Sequence, residues 1–448
     1  MPTFLQRLAL LVVLGVTLSA CGDFGNVDDF ADIDTATPDT SVVVVDAGDT
    51  KEGVSAAHGG DVVVWRPEAG FAILRVGTVA GETQVAQSGA LRAWAGALRA
   101  WAGGELSEGG AVLTENAAIW ERLSLGVAHK ELAPKLGKGV VVAVIDTGID
   151  TAHPIFEKRL DERANWYDFV EGDTMPTEVG GAAYGHGTAV ASIVLQVAPE
   201  ATLMPLRVLN GDGRGSVANV AAALDWAVAR GADIVQLSLG TEAPAEAIEQ
   251  MVRYAASQGV YVVASAGNSD GAPTYPAYSA MLATPTGDMA VGVGSVNLND
   301  QKSRFSNFIS EEGSADDGLE MVSFGEDVYA AFPGRRVAAW DGTSMAAPMV
   351  AGALALALGE GAESLNPRQL GLKVVSSALE IDAEGDSRGQ EFDLEQRLEI
   401  GLFLCDALNL DAAACAGAFD DANDDEDDED DGDDNEDDED EDEDDEDD

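Results

Sequence analysis

Mostly apolar runs recur along the middle of this chain, and the segments between them have the residue pattern of helices. The first run, residues 140–145, contains only Val, Ala and Ile, as a strand buried on both faces of a sheet requires. Similar runs follow at residues 202–208, 234–237, 260–264 and 290–296. Strands that alternate with helices in this way predict an α/β fold with a mostly parallel central sheet flanked by helices.

Two of the connecting segments carry specific helix signals. Ser216 is a typical N-cap, and apolar residues recur after it on one helical face, at Val217, Val220, Leu224 and Val228. A second helix is predicted over residues 243–258, where Gly259 would end it. In proteins with such a sheet, ligands bind beyond the carboxyl ends of the strands. Polar residues at those ends are therefore candidate site residues.

Four short motifs place polar side chains at strand ends or helix starts. Asp146 follows the first apolar run in Val-Ile-Asp-Thr-Gly, and Asn268 follows another in Ala-Ser-Ala-Gly-Asn. His186, in Gly-His-Gly-Thr, opens a predicted helix of small residues. Ser344, in Gly-Thr-Ser-Met-Ala-Ala-Pro, opens another, and Pro348 is expected to be tolerated in its first turn, where amides lack helical partners.

Together these residue types fit nucleophilic catalysis. A serine hydroxyl becomes a good nucleophile only when a base takes its proton, and an imidazole base needs a carboxylate to fix its tautomer. The amide of Asn268, with the backbone N–H of Ser344, can donate hydrogen bonds to a developing oxyanion. Taken singly, each residue has an ordinary structural explanation as a turn former or a helix cap, so the hypothesis depends on the joint pattern.

The order Asp, His, Ser with these flanking residues resembles the subtilisin family of serine peptidases, and the match runs through residues 139–352. The resemblance implies a subtilisin-like three-layer fold. It also implies that Asp146, His186 and Ser344 are a catalytic triad and that Asn268 is the oxyanion donor. Further roles implied are an edge strand that pairs with substrate, formed by Ser238, Leu239 and Gly240, and a wall of the first specificity pocket, formed by Ala264, Ser265, Ala266 and Gly267.

The chain also departs from the family pattern at several positions. Ala189 and Met349 stand where His is common, and Gln236 stands where Asn is common. Residues 179–184 lack the Asp that is usual just before the His motif. None of these positions carries the proton transfer. The resemblance implies that the chemistry needs no cofactor. It also implies that structural calcium is possible, but no residue of this chain is assigned as a metal ligand.

The N-terminus predicts export and a lipid anchor. Residues 1–20 read as a signal peptide, because the apolar run at residues 8–16 is too short to span a bilayer. Leu-Ser-Ala-Cys at residues 18–21 resembles the lipobox of bacterial lipoproteins, which implies a lipid on Cys21 and a membrane-anchored protein facing the periplasm or the cell exterior. The alternative is an ordinary signal peptide with a chance Cys. Cys405 and Cys415 are compatible with one disulfide in an exported chain, or with two buried thiols.

The rest of the chain divides by composition. Residues 21–50 are rich in Asp and predict a flexible linker. Residues 51–115 predict a small α+β segment that is either a propeptide or an accessory domain, with strands at residues 61–65 and 71–76. Within it, residues 89–102 repeat a heptapeptide, Gly-Ala-Leu-Arg-Ala-Trp-Ala, which predicts an amphipathic helix.

Residues 116–419 form the predicted peptidase domain, and residues 420–448 form an acidic tail with 25 Asp and Glu and no base, which predicts disorder. The whole chain has a net charge of −56, and without the tail it would still be −31. Such a balance excludes non-specific nucleic-acid binding, because phosphate contacts need Lys and Arg. The expected partners are protein or peptide substrates and, through Cys21, a membrane.

The sequence therefore predicts an exported, lipid-anchored serine endopeptidase. The alternative is a non-catalytic surface binding module that retains the fold. If the small N-terminal segment is a propeptide, self-cleavage is expected between about residues 114 and 139, which would release the catalytic domain from its anchor.

Overall fold

The computed structural model describes residues 40–46, 48–76, 84–87, 99–100, 113–241, 245–277, 290–308, 319, 321–362, 365, 367–381 and 396–416. In chain order its strands are β1 Thr40–Val44, β2 Asp61–Arg66, β3 Phe71–Arg75, β4 Gln84–Gln87, β5 Arg99–Ala100, β6 Val141–Asp146, β7 Tyr167–Asp168, β8 Thr202–Arg207, β9 Arg214–Ser216, β10 Ile234–Leu237, β11 Leu239–Gly240, β12 Tyr261–Ser265, β13 Ala290–Val296, β14 Met321–Phe324, β15 Val328–Phe332, β16 Arg336–Trp340, β17 Leu379–Glu380 and β18 Gln396–Arg397.

The helices of the described residues are α1 Lys51–His58, α2 Ala117–Arg122, α3 Leu125–Val127, α4 His186–Val197, α5 Val217–Ala229, α6 Glu246–Ser257, α7 Thr343–Gly359, α8 Pro367–Ser376 and α9 Ile400–Ala407. The N-cap predicted for α5 is confirmed, since Ser216 Oγ accepts a 3.1 Å hydrogen bond from Asn219 N. The second predicted helix, α6, begins at Glu246 rather than at residue 243.

A sheet of nine strands forms the centre of the molecule, in the order β17-β18-β14-β13-β12-β10-β6-β8-β7. Neighbouring strands are parallel, except that β17 runs antiparallel to β18. The five strands predicted from apolar runs lie side by side in it, so the predicted fold class is confirmed. This arrangement brings the carboxyl ends of β6, β10 and β12 to one edge.

Helices cover both faces of this sheet. Along β6, Val142 and Val144 belong to the hydrophobic core that includes α4 and α7, whereas Ala143 and Ile145 belong to the core that includes α5 and α6. Since successive side chains of a strand point to opposite faces, a strand buried on both faces must be apolar throughout. This is the physical origin of the apolar runs in the sequence.

A small N-terminal unit precedes the central α/β fold. Its sheet has the order β1-β3-β2, antiparallel throughout, and α1 packs on one face around Val43, Val54 and Leu74. The α+β character predicted for this region is therefore present. The flexible linker predicted over residues 21–50 is wrong at its end, because Thr40–Val44 form β1. The four consecutive Val residues at 42–45 favour a strand and outweigh the surrounding Asp.

The second face of the N-terminal sheet packs on the central α/β fold. Val64, Phe71 and Ile73 join the hydrophobic core that contains α5 and α6. At the rim of this contact, Arg66 Nε lies 2.7 Å from Asp225 Oδ1, and Arg75 donates a 2.6 Å hydrogen bond to Asn219. The unit is thus held to the outer helices by an apolar centre with polar contacts around it.

Other sequence predictions fall wholly or partly outside the described residues. Of residues 89–102, predicted as a helix, only Arg99–Ala100 are described, and they form β5, which pairs antiparallel with β16. The helix prediction is wrong at these two residues because an edge of β16 supplies backbone partners for an extended segment. The signal peptide, Cys21 and the acidic tail at residues 420–448 lie outside the described residues.

Near the C-terminus of the described residues, Cys405 in α9 is joined to Cys415 by a disulfide with an S–S distance of 2.06 Å. Within the part of the chain that the structure describes, no helix has both the length and the apolar character needed to cross a bilayer.

Candidate active site

Asp146 and His186 meet at the carboxyl edge of the central sheet. Asp146 is the last residue of β6 and His186 the first of α4, and His186 Nδ1 lies 2.8 Å from Asp146 Oδ1. Both side chains are only 1% exposed. The same carboxylate oxygen accepts a 2.6 Å hydrogen bond from Thr147 N. A buried carboxylate on Nδ1 fixes the imidazole so that Nε2 can act as the base.

Small residues bring the His-bearing helix close to its neighbours. A Cβ at Gly187, in the first turn of α4, would lie 2.2 Å from the carbonyl oxygen of Gly148 in the loop after β6. Farther along, α4 packs against α7, where a Cβ at Gly352 would lie 2.5 Å from Val197 Cβ. Only glycine permits such close approaches, and they hold the helix that starts at His186 beside the helix that carries Ser344.

A carboxylate that sequence reasoning missed lies at the start of α4. Glu178 accepts hydrogen bonds from the backbone N–H groups of Gly185 (3.1 Å) and Thr188 (3.0 Å) and from the hydroxyls of Thr188 (2.9 Å) and Thr147 (3.2 Å). Burial is the main cause that raises the pKa of Glu178 to about 7, against the lowering effect of these hydrogen bonds. The only sequence signal was negative, namely the missing Asp before the His motif.

Ser344 is the second residue of α7, and its Oγ lies 3.5 Å from the carbonyl oxygen of Ser238. The expectation that Pro348 lies in the first turn is wrong, because it is the sixth residue of α7. A proline there cannot donate to the carbonyl four residues earlier, which is that of Ser344. The Ser238 hydroxyl donates to this carbonyl instead, at 2.8 Å, and itself accepts a 3.0 Å hydrogen bond from Gln236 Nε2.

Asn268 lies next to the start of α7 with its amide orientation fixed. Its Oδ1 accepts hydrogen bonds from Thr343 N at 2.9 Å and from Thr343 Oγ1 at 2.8 Å. Its Nδ2 is buried and has no hydrogen-bond partner among the described residues. Because both oxygen contacts determine which end of the amide faces α7, Nδ2 is the end that remains able to donate to another group.

The loop that carries this amide is held by a second buried side chain. Asn307 is fully buried, and its amide makes five hydrogen bonds to the loop after β12. Its Oδ1 accepts from Ser269 N, Ser269 Oγ and Gly271 N, and its Nδ2 donates to the carbonyls of Ala266 and Ala272. Sequence reasoning missed this residue, since an Asn in a loop has many ordinary roles.

The segment predicted to pair with substrate forms a strand, and a part of this chain lies against it. Leu239 and Gly240 form β11, with Ser238 directly before them. The N-terminal strand β4, Gln84–Gln87, pairs antiparallel with β11 on one side and with β9 on the other. An extended segment of the chain therefore completes a three-stranded sheet at this edge.

The residues predicted to wall the first specificity pocket lie on the same edge. Ala264 and Ser265 end β12, and Ala266 and Gly267 continue toward Asn268. All four are buried. Within the described ranges, no group of three or more His, Cys, Asp or Glu side chains is placed to hold a metal ion.

Comparison with known proteins gives one consistent family. The model of the subtilase family, Peptidase S8, matches residues 137–401. Subtilisin BL from Lederbergia lenta is 40% identical over 230 residues, which cover 49% of this chain and 76% of that protein. Thermitase from Thermoactinomyces vulgaris is 34% identical over 243 residues, which cover 52% of this chain and 79% of that protein.

A solved structure of a cold adapted subtilisin-like serine proteinase aligns with 58% of this chain and 89% of its own, at 31% identity and a TM-score of 0.49. The stretch matched by the family model contains all four candidate residues, Asp146, His186, Asn268 and Ser344.

Proposed function

This chain belongs to the subtilase family and is a serine-type endopeptidase, and on that premise we propose that Asp146, His186 and Ser344 are its catalytic triad. The observation that carries the proposal is the buried 2.8 Å contact between His186 Nδ1 and Asp146 Oδ1. It leaves Nε2 as the ring nitrogen that can take a proton. Ser344 is assigned as the nucleophile because it is the second residue of α7, the helix that packs against α4.

In the proposed reaction, His186 Nε2 takes the proton of Ser344 Oγ as that oxygen attacks the carbonyl carbon of a peptide bond. The carbon–nitrogen bond then breaks, and His186 gives its proton to the leaving nitrogen. A water molecule, deprotonated by the same imidazole, hydrolyses the acyl-enzyme and restores the hydroxyl of Ser344. Asp146 accepts the hydrogen bond from His186 Nδ1–H and stabilises the imidazolium in both steps.

The oxyanion of the tetrahedral intermediate is proposed to accept hydrogen bonds from Asn268 Nδ2 and from the backbone N–H of Ser344. Supporting this role, Thr343 holds the other end of the Asn268 amide through two hydrogen bonds. A donor fixed before the reaction costs no reorganisation in the transition state, which is why such donors contribute strongly to rate.

Substrate is proposed to bind as an extended strand against Ser238, Leu239 and Gly240, with the side chain before the cleaved bond beside Ala264, Ser265, Ala266 and Gly267. The pairing of β4 with β11 supports this mode, since backbone hydrogen bonds of a strand do not depend on its side chains. The substrates are proteins or peptides.

The same pairing supports a propeptide role for the N-terminal unit. With β4 at the proposed substrate edge, the uncut chain would be inhibited, and self-cleavage would fall after Gln87. The window expected from sequence, residues 114–139, is a poor candidate because Trp120 and Leu123 are buried in the core of the catalytic fold. Cleavage before residue 113 would leave that core intact.

Export and anchoring complete the proposal. The protein is exported, and a lipid on Cys21 anchors it at a membrane until processing releases the catalytic domain. This part depends on the signal-like residues 1–20 and on Leu-Ser-Ala-Cys at residues 18–21.

A fluorophosphonate probe tests the triad. The full chain should be labelled at Ser344 and should appear as a shorter soluble form, while Ser344→Ala should be unlabelled, full length and membrane-bound. His186→Ala should lose almost all turnover and keep its fold by circular dichroism, because the hydroxyl then has no base. A folded but unlabelled wild-type chain would favour the non-catalytic binding module.

A further inference from the structure

Glu178 is surrounded by hydrogen-bond donors. Two are the backbone N–H groups of Gly185 and Thr188, at 3.1 and 3.0 Å. Two are the hydroxyls of Thr188 and Thr147, at 2.9 and 3.2 Å. Gly185 is the N-cap residue of α4 and Thr188 is in its first turn, while Thr147 follows Asp146 directly. One carboxylate therefore connects the loop after β6 to the start of the helix that His186 opens.

The direction of both hydroxyl hydrogens is determined. Thr147 Oγ1 already accepts a 2.9 Å hydrogen bond from Gly187 N, and Thr188 Oγ1 accepts one of 3.0 Å from Asp150 N. Each hydroxyl hydrogen is therefore available for Glu178. The contacts that Glu178 makes are all contacts with donors, so they suit an ionised carboxylate, whereas the hydrogen of a protonated carboxyl would replace one of them.

We propose that Glu178 is a positioning residue for the peptidase reaction, because its ionised carboxylate holds the start of α4 against the loop after β6 and so keeps His186 in register with Asp146. The inference rests on the triad proposed above. Glu178 would touch neither substrate nor the reacting atoms, and would act only through the backbone and hydroxyl groups that it binds.

The charge of Glu178 changes in the neutral pH range. The pKa of Glu178 is raised to about 7, mainly by burial and to a smaller extent by the nearby charge of Asp146, while the donors at Gly185 and Thr188 oppose the rise. The other groups around it are His186 at the head of α4 and Asp150 on the loop after β6, whose carboxylate accepts from Gly334 N and Ala152 N. Near neutral pH both forms of Glu178 are therefore populated.

The pH dependence of stability and that of activity are expected to have opposite signs, so the two effects of Glu178 can be told apart. The folded chain holds this proton more tightly than the unfolded chain does, since the pKa is raised from 4.5 to about 7. The contribution of Glu178 to the free energy of unfolding is therefore greatest below the unfolded pKa and is lost as the pH rises through the folded pKa. Activity should change in the opposite direction, since the contacts that position His186 need the ionised form.

The test compares the pH dependence of kcat and kcat/KM in wild type and in Glu178→Gln, with active sites counted by fluorophosphonate labelling. The wild type should lose activity below neutral pH through two ionisations, those of His186 and Glu178. The limiting slope of log kcat/KM against pH should therefore exceed one. Glu178→Gln should retain a single ionisation, with kcat lower by about 10- to 100-fold at pH 8 and KM within about twofold, because a displaced base costs mainly turnover.

Two further variants control this result. Glu157→Gln removes one carboxylate from an exposed position and should leave both the profile and kcat unchanged. Glu178→Asp keeps the charge and should keep the second ionisation with an intermediate kcat. If Glu178→Gln does not fold, Thr147→Val removes one donor from the carboxylate and should move the second ionisation to higher pH.

A readout that needs no turnover is the NMR resonance of the His186 Nδ1 proton in the Ser344→Ala chain. Adding Glu178→Gln should lower the pKa of His186, since a neighbouring negative charge that favours the imidazolium is removed. An unchanged pH profile in Glu178→Gln, or a kcat lowered equally at every pH with the slope retained, would overturn the inference. Either result would leave the triad standing. The triad fails instead if the wild-type chain is unlabelled, if Ser344→Ala is still labelled, or if His186→Ala keeps its turnover.

Discussion

The two helices that carry the proposed base and nucleophile begin in similar ways but are capped by different chemistry. Both α4 and α7 have glycine at the N-cap, Gly185 and Gly342, and neither glycine can offer a side-chain acceptor. Each helix therefore takes an acceptor from elsewhere in the chain. At α4 it is the carboxylate of Glu178, and at α7 it is the amide oxygen of Asn268.

The difference matches the charge that develops at each helix start. The imidazolium of His186 is positive, so a nearby carboxylate favours it. At Ser344 the developing charge is the negative oxyanion, and a carboxylate there would oppose it. A neutral amide can cap the helix with its oxygen and still donate with its nitrogen, so Asn268 serves both needs.

Exchanging the type of cap at α7 should have the largest effect. Asn268→Ala is expected to lower kcat by about 10²- to 10³-fold with KM little changed, since the lost hydrogen bond forms mainly in the transition state. Asn268→Asp keeps an oxygen for Thr343 but brings a negative charge to the oxyanion. Its kcat should be lower than that of Asn268→Ala, while its melting temperature stays closer to wild type because an anion at a helix N-terminus is favourable.

Steady-state kinetics of the two variants measure the effect on catalysis. Thermal melts of the same two variants in the Ser344→Ala chain, which cannot digest itself, measure the effect on helix capping. The comparison between the two helix starts is broken if Asn268→Asp is as active as wild type. An unchanged kcat in Asn268→Ala would remove Asn268 from the oxyanion role.

The two caps also differ in how far sequence could predict them. Asp146, His186 and Asn268 lie at the ends of apolar strands or at a Gly-rich helix start, so local pattern and resemblance were enough to select them. Glu178 lies in a loop without periodic pattern, eight residues before His186, and its meaning comes from partners in two separate segments. Only the absence of a usual residue pointed to that loop, and absence does not say what replaces it.

The helix α7 contains a proline, Pro348, whereas α4 contains none. Ser238→Ala removes the hydroxyl that binds the carbonyl of Ser344 and should cost about 1–3 kcal/mol of unfolding free energy, the penalty of a buried polar group that loses its partner. In Pro348→Ala, residue 348 regains an N–H that can bind the same carbonyl within the helix. The loss of unfolding free energy caused by Ser238→Ala should then be smaller by at least about 1 kcal/mol in the Pro348→Ala chain than in the chain with Pro348. A coupling of this size is typical of groups that share a partner.

Denaturant unfolding of the four chains of this double-mutant cycle, all carrying Ser344→Ala, measures the coupling. Gln236→Leu is the matched control, because it removes the donor to Ser238 but leaves the Ser238 hydroxyl on the carbonyl. Additive effects of Ser238→Ala and Pro348→Ala would show that the hydroxyl does not stand in for the missing helical hydrogen bond.

The strand β4 is a part of the fold that local pattern could not predict. It has little strand pattern of its own and is extended because β11 and β9 offer backbone partners on both sides. Those partners lie more than 100 positions away in the chain. The error at Pro348 has a different origin, because the motif did indicate the helix start, and Pro348, as the sixth residue of α7, lies beyond the first turn.

The smallest expected effect is that of the acidic tail, which lies outside the described residues. The acidic tail at residues 420–448 carries 25 carboxylates, whereas Glu178 carries one. Exposed charges act over about 8 Å at physiological salt, while Glu178 is partly shielded from solvent and one hydrogen bond from the residue that follows Asp146. Deleting residues 420–448 should therefore leave kcat, the pH profile and the melting temperature almost unchanged in the presence of a chelator. Glu178→Gln, measured in the same buffer, provides the comparison. A shift of the profile that grows as salt is lowered would mean that the electrostatic field of the tail reaches His186, and that Glu178 is not the carboxylate that sets the pH profile.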